Sequence, residues 1–149
     1  MNKTVVMVLN QSSPQGQLRF ANTDIRQVST LKYLGLHIDE RLSFADHVND
    51  LAKKVSTTIG VMCRLWSFVP NGALMQIYNG LIHSKVTYLI SSYGSANKTT
   101  MHRLFILQKR SLKIALNLPL RTPTLELFTA KARCLPIRSL YLCSLALLT

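Results

Sequence analysis

The sequence predicts an α+β fold, with short β-strands over residues 1–40 followed by a mainly α-helical bundle. Before Glu40 the apolar residues fall in short runs and alternations, separated by turn formers. After Glu40 they recur at i, i+3, i+4 and i+7, the period of an amphipathic helix. The chain has 149 residues, of which 48% are apolar and 16% charged, enough for one packed unit and too apolar for a disordered chain.

Val5 to Leu9 form a continuous apolar run, ended by Asn10 and the turn-forming Ser12-Ser13-Pro14-Gln15-Gly16. Weaker extended stretches follow at Leu18 to Phe20 and Ile25 to Val28. The clearest strand is Leu31 to Asp39, with Leu34, Leu36 and Ile38 on one face and Tyr33, Gly35, His37 and Asp39 on the other. Gly35 inside that strand lets another backbone or a ligand approach closely.

Ser43 is placed to cap the first helix, with Asp46 three residues on. Its stripe runs Val48, Leu51, Ala52, Val55, Ile59, Met62, Leu65 and Val69, and Pro70-Asn71-Gly72 stops it. A second stripe runs Leu74, Ile77, Tyr78, Leu81, Ile82, Val86 and Leu89, ending near Ser91 to Gly94. A third starts around Thr100 and carries Met101, Leu104, Phe105, Leu112, Ala115 and Leu116. In the fourth, Thr122 caps, Pro123 takes the first helical position, and Leu125, Phe128 and Ala132 face inward. Pro136 opens the last, where Ile137, Leu140, Tyr141, Ser144, Leu145 and Leu148 share a face up to Thr149.

Eighteen Lys and Arg against six Asp and Glu give a formal charge of +12. Residues 1–100 carry net +5 and residues 101–149 net +7, so the excess concentrates in the last third. That density favours a polyanionic partner. Cys63, Cys134 and Cys143 lie among apolar residues with no C-x-x-C spacing, which fits small core residues in a reducing compartment, cytoplasmic or nuclear. No run approaches the ~18 apolar residues of a membrane span, and no membrane partner is expected.

No enzyme signature emerges. The carboxylates are Asp24, Asp39, Glu40, Asp46, Asp50 and Glu126. Two-metal chemistry needs at least two of them to converge. Asp39 and Glu40 diverge as neighbours at a strand end, while Asp46 and Asp50 better complement a helix N-terminus. His37, His47, His83 and His102 have no ligand partner at zinc spacing, and no phosphate-loop or nucleophile-elbow motif occurs. Neither a catalytic nor a metal site is assigned, and no cofactor is expected.

Binding is better supported. Arg103, Lys109, Arg110 and Lys113 fall within about a third of the circumference of the third helix at ~100° per residue, opposite its apolar face. Such an arc can follow a phosphate backbone. Lys53, Lys54 and Arg121 add to it, as do Lys131, Arg133 and Arg138. Trp66 fits the core better than a base-stacking platform.

The string Lys32-Tyr33-Leu34-Gly35-Leu36-His37-Ile38-Asp39, with Leu42-Ser43-Phe44 and His47, resembles a segment of non-LTR retrotransposon reverse transcriptases of the jockey, CR1 and RTE kind. Further matches follow in order: Lys53-Lys54, Ile77-Tyr78 with Leu81-Ile82, and Tyr88 with Tyr93-Gly94. Leu107-Gln108-Lys109-Arg110, Thr122-Pro123-Thr124 and Leu135-Pro136-Ile137 complete the series, while Asn2-Lys3-Thr4 resembles the end of the family's palm. Phe44 stands where the family usually has Trp, and the Trp that usually follows Tyr93-Gly94 is absent.

The resemblance implies a palm edge over residues 1–40 and a thumb-like helical region over 41–149, truncated at both ends. Tyr33, Leu34 and Gly35 would match the primer-grip hairpin. Lys3 would match a palm lysine that helps position the nucleotide. The family's catalytic aspartates lie upstream, so the chain would contact an RNA/DNA primer–template without polymerising. Any Mg²⁺ would belong to the fingers and palm of a longer polymerase. The alternatives are a helical protein-interaction module and a decayed transposon relic.

Overall fold

The computed structural model describes residues 4–9, 19, 20 and 23–148. Its architecture is α+β, with short strand pairs preceding a helical body. Val5–Val6 (β1) pairs in parallel with Arg26–Gln27 (β4), and Arg19–Phe20 (β2) pairs antiparallel with Thr23–Asp24 (β3). The turn assigned to Ser12–Gly16 lies outside the described residues.

Residues 31–39 are a hairpin and not the single strand predicted. Thr30–Tyr33 (β5) and Leu36–Asp39 (β6) pair antiparallel, Tyr33 opposite Leu36 and Leu31 opposite Ile38. Leu34 (φ +47°) and Gly35 (φ +86°) form the turn, both left-handed, as a two-residue type I′ connection requires. Opposed residues share a sheet face, so Tyr33 joins Leu31, Leu36 and Ile38, contrary to the alternation assigned across the turn. Leu36 is buried, and Leu31 and Ile38 half-buried.

The first helix, Ala45–Leu65 (α1), is capped from a distance. Ser43 was expected to cap it, and its hydroxyl does accept the Ala45 N–H at 3.3 Å, but Phe44 holds the cap position in a left-handed conformation with no side-chain cap of its own. The Asp39 carboxylate accepts the preceding N–H groups, those of Ser43 (3.1 Å) and Phe44 (2.9 Å). The residue closing the hairpin thereby starts the helix. Burial raises the Asp39 pKa, but the hydrogen bonds from Phe44 and Ser43 outweigh it and hold the carboxyl below its ordinary range.

The second stripe is a helix in pieces: Asn71–Ile77 (α2), the π-helical Tyr78–His83 (π1) and Ser84–Thr87 (α3), then a break and Ile90–Tyr93 (α4). Before the break its buried residues are Leu74, Tyr78, Ile82 and Val86, four apart throughout, and after it Ile90 and Tyr93. A straight α-helix with 3.6 residues per turn would drift off that spacing; the wider π turns absorb the difference. The same shift exposes Leu81, which the α-helical stripe had placed inside.

Lys98–Ala115 (α5) starts at Asn97, whose side chain accepts the Thr99 N–H at 3.0 Å. Thr124–Glu126 (α6), the π-helical Leu127–Lys131 (π2) and Ile137–Ala146 (α7) follow. Pro123 caps α6 instead of opening it, and Leu127 is buried in place of Leu125. On α7 only Ile137 is fully buried; Leu145 and Leu148 face outward because no described element covers that side.

The core is centred on α1 against α5, the most extensively packed pair. Gln108 of α5 is buried and bonded on both ends of its amide. Nε2 donates to the Leu135 carbonyl (3.0 Å), and Oε1 accepts the Ile137 N–H (2.9 Å) at the start of α7. Cys63 and Cys143 are exposed and Cys134 half-buried, so only Cys134 approaches the core role predicted for all three. Trp66 is 52% exposed and Phe68 83%, because α1 ends at Leu65 and carries both off its buried face.

Replacing Asp39 by Ala is expected to lower the urea midpoint at neutral pH by an amount equivalent to about 1–2 kcal/mol. Because the folded pKa is depressed, this stability is complete above the unfolded value near pH ~4 and is lost as pH falls through the folded value. The two proteins should therefore converge at pH ~2, below the carboxylate range. A gap that persists there would mean that Asp39 acts through packing and not charge.

Candidate nucleic-acid interface

Helix α1 has the hairpin on one flank and α5 on the other. Successive residues turn by ~100°, so neighbours in sequence serve different flanks. Asp50 faces the hairpin, its Oδ2 lying 3.8 Å from His37 Nε2 and 2.7 Å from Lys54 Nζ. The Lys54 hydrogen bond, working against a smaller effect of burial, holds the Asp50 carboxyl below its ordinary range. Asn49, one residue earlier, faces α5 and accepts Arg103 Nη1 through Oδ1 at 3.3 Å.

Between α1 and α5 lies an open groove of about 360 Å³ lined by Ala52, Lys53, Ser56, Thr57, Arg103 and Leu107. Two cations contributed by different helices thus share one concavity with two hydroxyl residues. The Thr57 hydroxyl donates to the Lys53 carbonyl at 3.1 Å. The sequence pointed to Lys53 and Arg103 separately; that they line the same groove with Ser56 and Thr57 was not visible in it.

The other basic residues divide. Arg110 and Arg121 are exposed. Lys109 Nζ lies 4.8 Å from the centre of the Phe105 ring, and Phe105 stacks on Phe128 at 5.8 Å. Lys113 Nζ donates to the Leu120 carbonyl. Lys54 is tied to Asp50. Four of the predicted cations, Lys54, Arg103, Lys109 and Lys113, therefore make internal contacts; Arg103 also lines the groove with Lys53, and Arg110 and Arg121 are exposed. Lys3 lies outside the described residues.

At the hairpin tip Tyr33 is 61% exposed and Leu34 68%. Below the tip, the buried His47 ring lies 6.2 Å from His37 and 4.9 Å from Tyr93, between centroids. Burial, with the neighbouring His37, Lys54 and Lys32, lowers the His47 pKa despite the opposing pull of Asp50. His47 is thus held neutral as a packing residue under the hairpin. Among the described residues no group of three or more His, Cys, Asp or Glu is arranged to hold a metal ion, and no helix is long and apolar enough to cross a membrane.

Two curated relatives from Drosophila melanogaster match this chain. The RNA-directed DNA polymerase from mobile element jockey is 28% identical over 94 residues, covering 60% of this chain and 10% of the relative. The putative 115 kDa protein in type-1 retrotransposable element R1DM is 30% identical over 86 residues, covering 54% of this chain and 8% of the relative. The chain resembles non-LTR retrotransposon reverse transcriptases. It spans a tenth or less of the length of these two relatives. No family model and no solved structure matches it.

The tip holds a residue poorly suited to its backbone. A type I′ turn favours Asn at its first central position, where this chain has Leu34. Leu34→Asn is expected to raise stability by about 0.5–1 kcal/mol, read as a higher midpoint in thermal or urea unfolding. A destabilised variant would refute the turn assignment.

Proposed function

We propose that the chain is the palm edge and thumb-like part of a non-LTR retrotransposon reverse transcriptase, and that it holds primer–template nucleic acid without catalysing synthesis. The observation that carries this reading is the α1–α5 groove, where Lys53 and Arg103 face one concavity. Two cations on separate helices, with Arg110 exposed further along α5, can neutralise successive phosphates of one strand. The groove offers no element shaped to enter a base-pair groove and read base edges, which suits a module that must accept any sequence. The hairpin tip, with Tyr33 and Leu34 outward, lies against the primer strand. Fingers and the catalytic palm come from the rest of the polymerase, and Mg²⁺ is held there.

A second reading, a helical protein-interaction module, is favoured by the outer side of α7 and the residues after it. Leu142, Leu147 and Leu148 are 58%, 87% and 72% exposed. Nucleic-acid affinity separates the two.

Titration of a labelled RNA–DNA primer–template should show affinity falling steeply between about 50 and 200 mM salt. Charge reversal of Lys53 and Arg103 together should weaken binding at least about tenfold and reduce the log–log salt slope by roughly 1–2. Affinity independent of ionic strength would exclude phosphate contacts and leave the protein-interaction reading. Incubated with a primed RNA template, deoxynucleotides and Mg²⁺, the chain should extend no primer. Measurable extension would overturn the non-catalytic assignment.

A further inference from the structure

Tyr88 stands where the helical run breaks. It is extended (φ −61°, ψ 119°), and Leu89 after it is left-handed (φ +54°), a conformation that L residues other than glycine adopt at a cost. The break turns the Tyr88 ring away from the core and against the hairpin. Its hydroxyl donates to the Leu34 carbonyl at 2.9 Å, across 54 positions of sequence. A Cβ built on Gly35 would meet Tyr88 Cε1 at 3.8 Å, so the ring lies over the side of the turn where a side chain at 35 would project. Tyr88 is itself 54% exposed and is not part of the buried core.

We propose that Tyr88 is a positioning residue that clamps the tip of the β5–β6 hairpin. A two-stranded hairpin with four-residue arms is marginal by itself. Asp39 anchors its root to α1, and the buried Leu36 anchors its apolar face. Neither holds the turn. The Tyr88 hydroxyl does, by fixing the carbonyl of Leu34, the first central residue of the turn. The tip is thereby set at a constant place relative to the helical body, with Tyr33 and Leu34 presented outward. That this placement serves nucleic-acid contact rests on the reading above; the clamp itself does not.

The test uses Tyr88→Phe in the whole chain, which removes the hydroxyl and keeps the ring. Hydrogen exchange of the backbone amides at 33–36 should accelerate at least about fivefold, with the amides of α1 and α5 unchanged. Unchanged tip exchange overturns the clamp, and so does acceleration of core and tip alike, which would mark Tyr88 as a general stabiliser. For primer–template, Tyr88→Phe should weaken affinity about threefold without changing the salt slope, since no phosphate contact is lost. In a background with both Tyr33→Ala and Leu34→Ala, which strips the tip of its outward side chains, the same substitution should cost no further affinity. Simple additivity of the two effects would mean that Tyr88 does not act through the tip. If the wild-type chain binds no duplex, the functional reading fails, and exchange alone decides whether Tyr88 holds the tip.

Discussion

The packing of α1 against α5 sets the position of everything else described here. Val48, Leu51, Val55, Ile59 and Met62 on one helix, and Leu104, Leu112 and Ala115 on the other, are essentially removed from water. At about 1.5–3 kcal/mol for each large apolar side chain buried, that interface far exceeds what surface charges contribute, typically about 0–1 kcal/mol per exposed pair. The orientation of α1 is therefore an apolar decision. Lys53 and Arg103 come to share a groove as a consequence of that seam, and the hairpin takes the flank of α1 that α5 leaves free.

Gln108 shows how a polar residue can strengthen such a seam. An amide removed from water costs free energy unless its donors and acceptor are met. Here they meet the Leu135 carbonyl and the Ile137 N–H, the backbone on either side of Pro136. The amide so fixes where α7 begins relative to α5, a placement that apolar contact alone would specify loosely. It also explains the order Leu107-Gln108-Lys109-Arg110. One residue of that string lines the groove and the next the core, while Lys109 lies over the Phe105 ring and Arg110 is exposed.

The strand-then-helix order was legible from periodicity, and so were the core positions of α1, because a 21-residue α-helix without irregularity obeys its 3.6-residue period. The second stripe was legible only in part, since a π segment displaces every later position and leaves no signal in a period search. The hairpin was mistaken for one strand because a two-residue turn interrupts the alternation for only two positions. Gly35 was singled out for close backbone approach, whereas the structure uses it for a left-handed turn that lies against Tyr88. Trp66 was misplaced because α1 ends at Leu65, and beyond an end the face pattern no longer applies; Leu125 lies inside α6, just before the π turns that bury Leu127. For the candidate interface, the chemistry of the cations was legible but their partners were not. Whether a lysine meets solvent, a ring or a carbonyl is decided by elements far away in sequence.

The backbone itself marks the hairpin as unusual. Among the described residues, six other than glycine have positive φ: Leu34, Leu42, Phe44, Leu89, Asn117 and Arg133. Asn117 and Arg133 follow helical segments, where a left-handed residue is the ordinary way to stop, and Leu118 N–H closes back on the Lys113 carbonyl at 2.8 Å. Leu89 likewise comes two residues after the end of α3, whereas Leu34, Leu42 and Phe44 end no helix. Leu34 is the hairpin tip, Leu42 and Phe44 lie between hairpin and α1, and Leu89 makes the break that brings Tyr88 to the tip. All are large apolar residues, for which this conformation is least favourable, and each costs on the order of 1 kcal/mol. Strain of that kind persists only where surrounding contacts over-determine the backbone, and the contacts that do so are the three ties of the hairpin: Asp39 at its root, Leu36 at its middle and Tyr88 at its tip. Unfavourable backbone thus collects at the tip and root of the hairpin and at the break that carries Tyr88, while α1 and α5, which form the helical seam beneath, contain none.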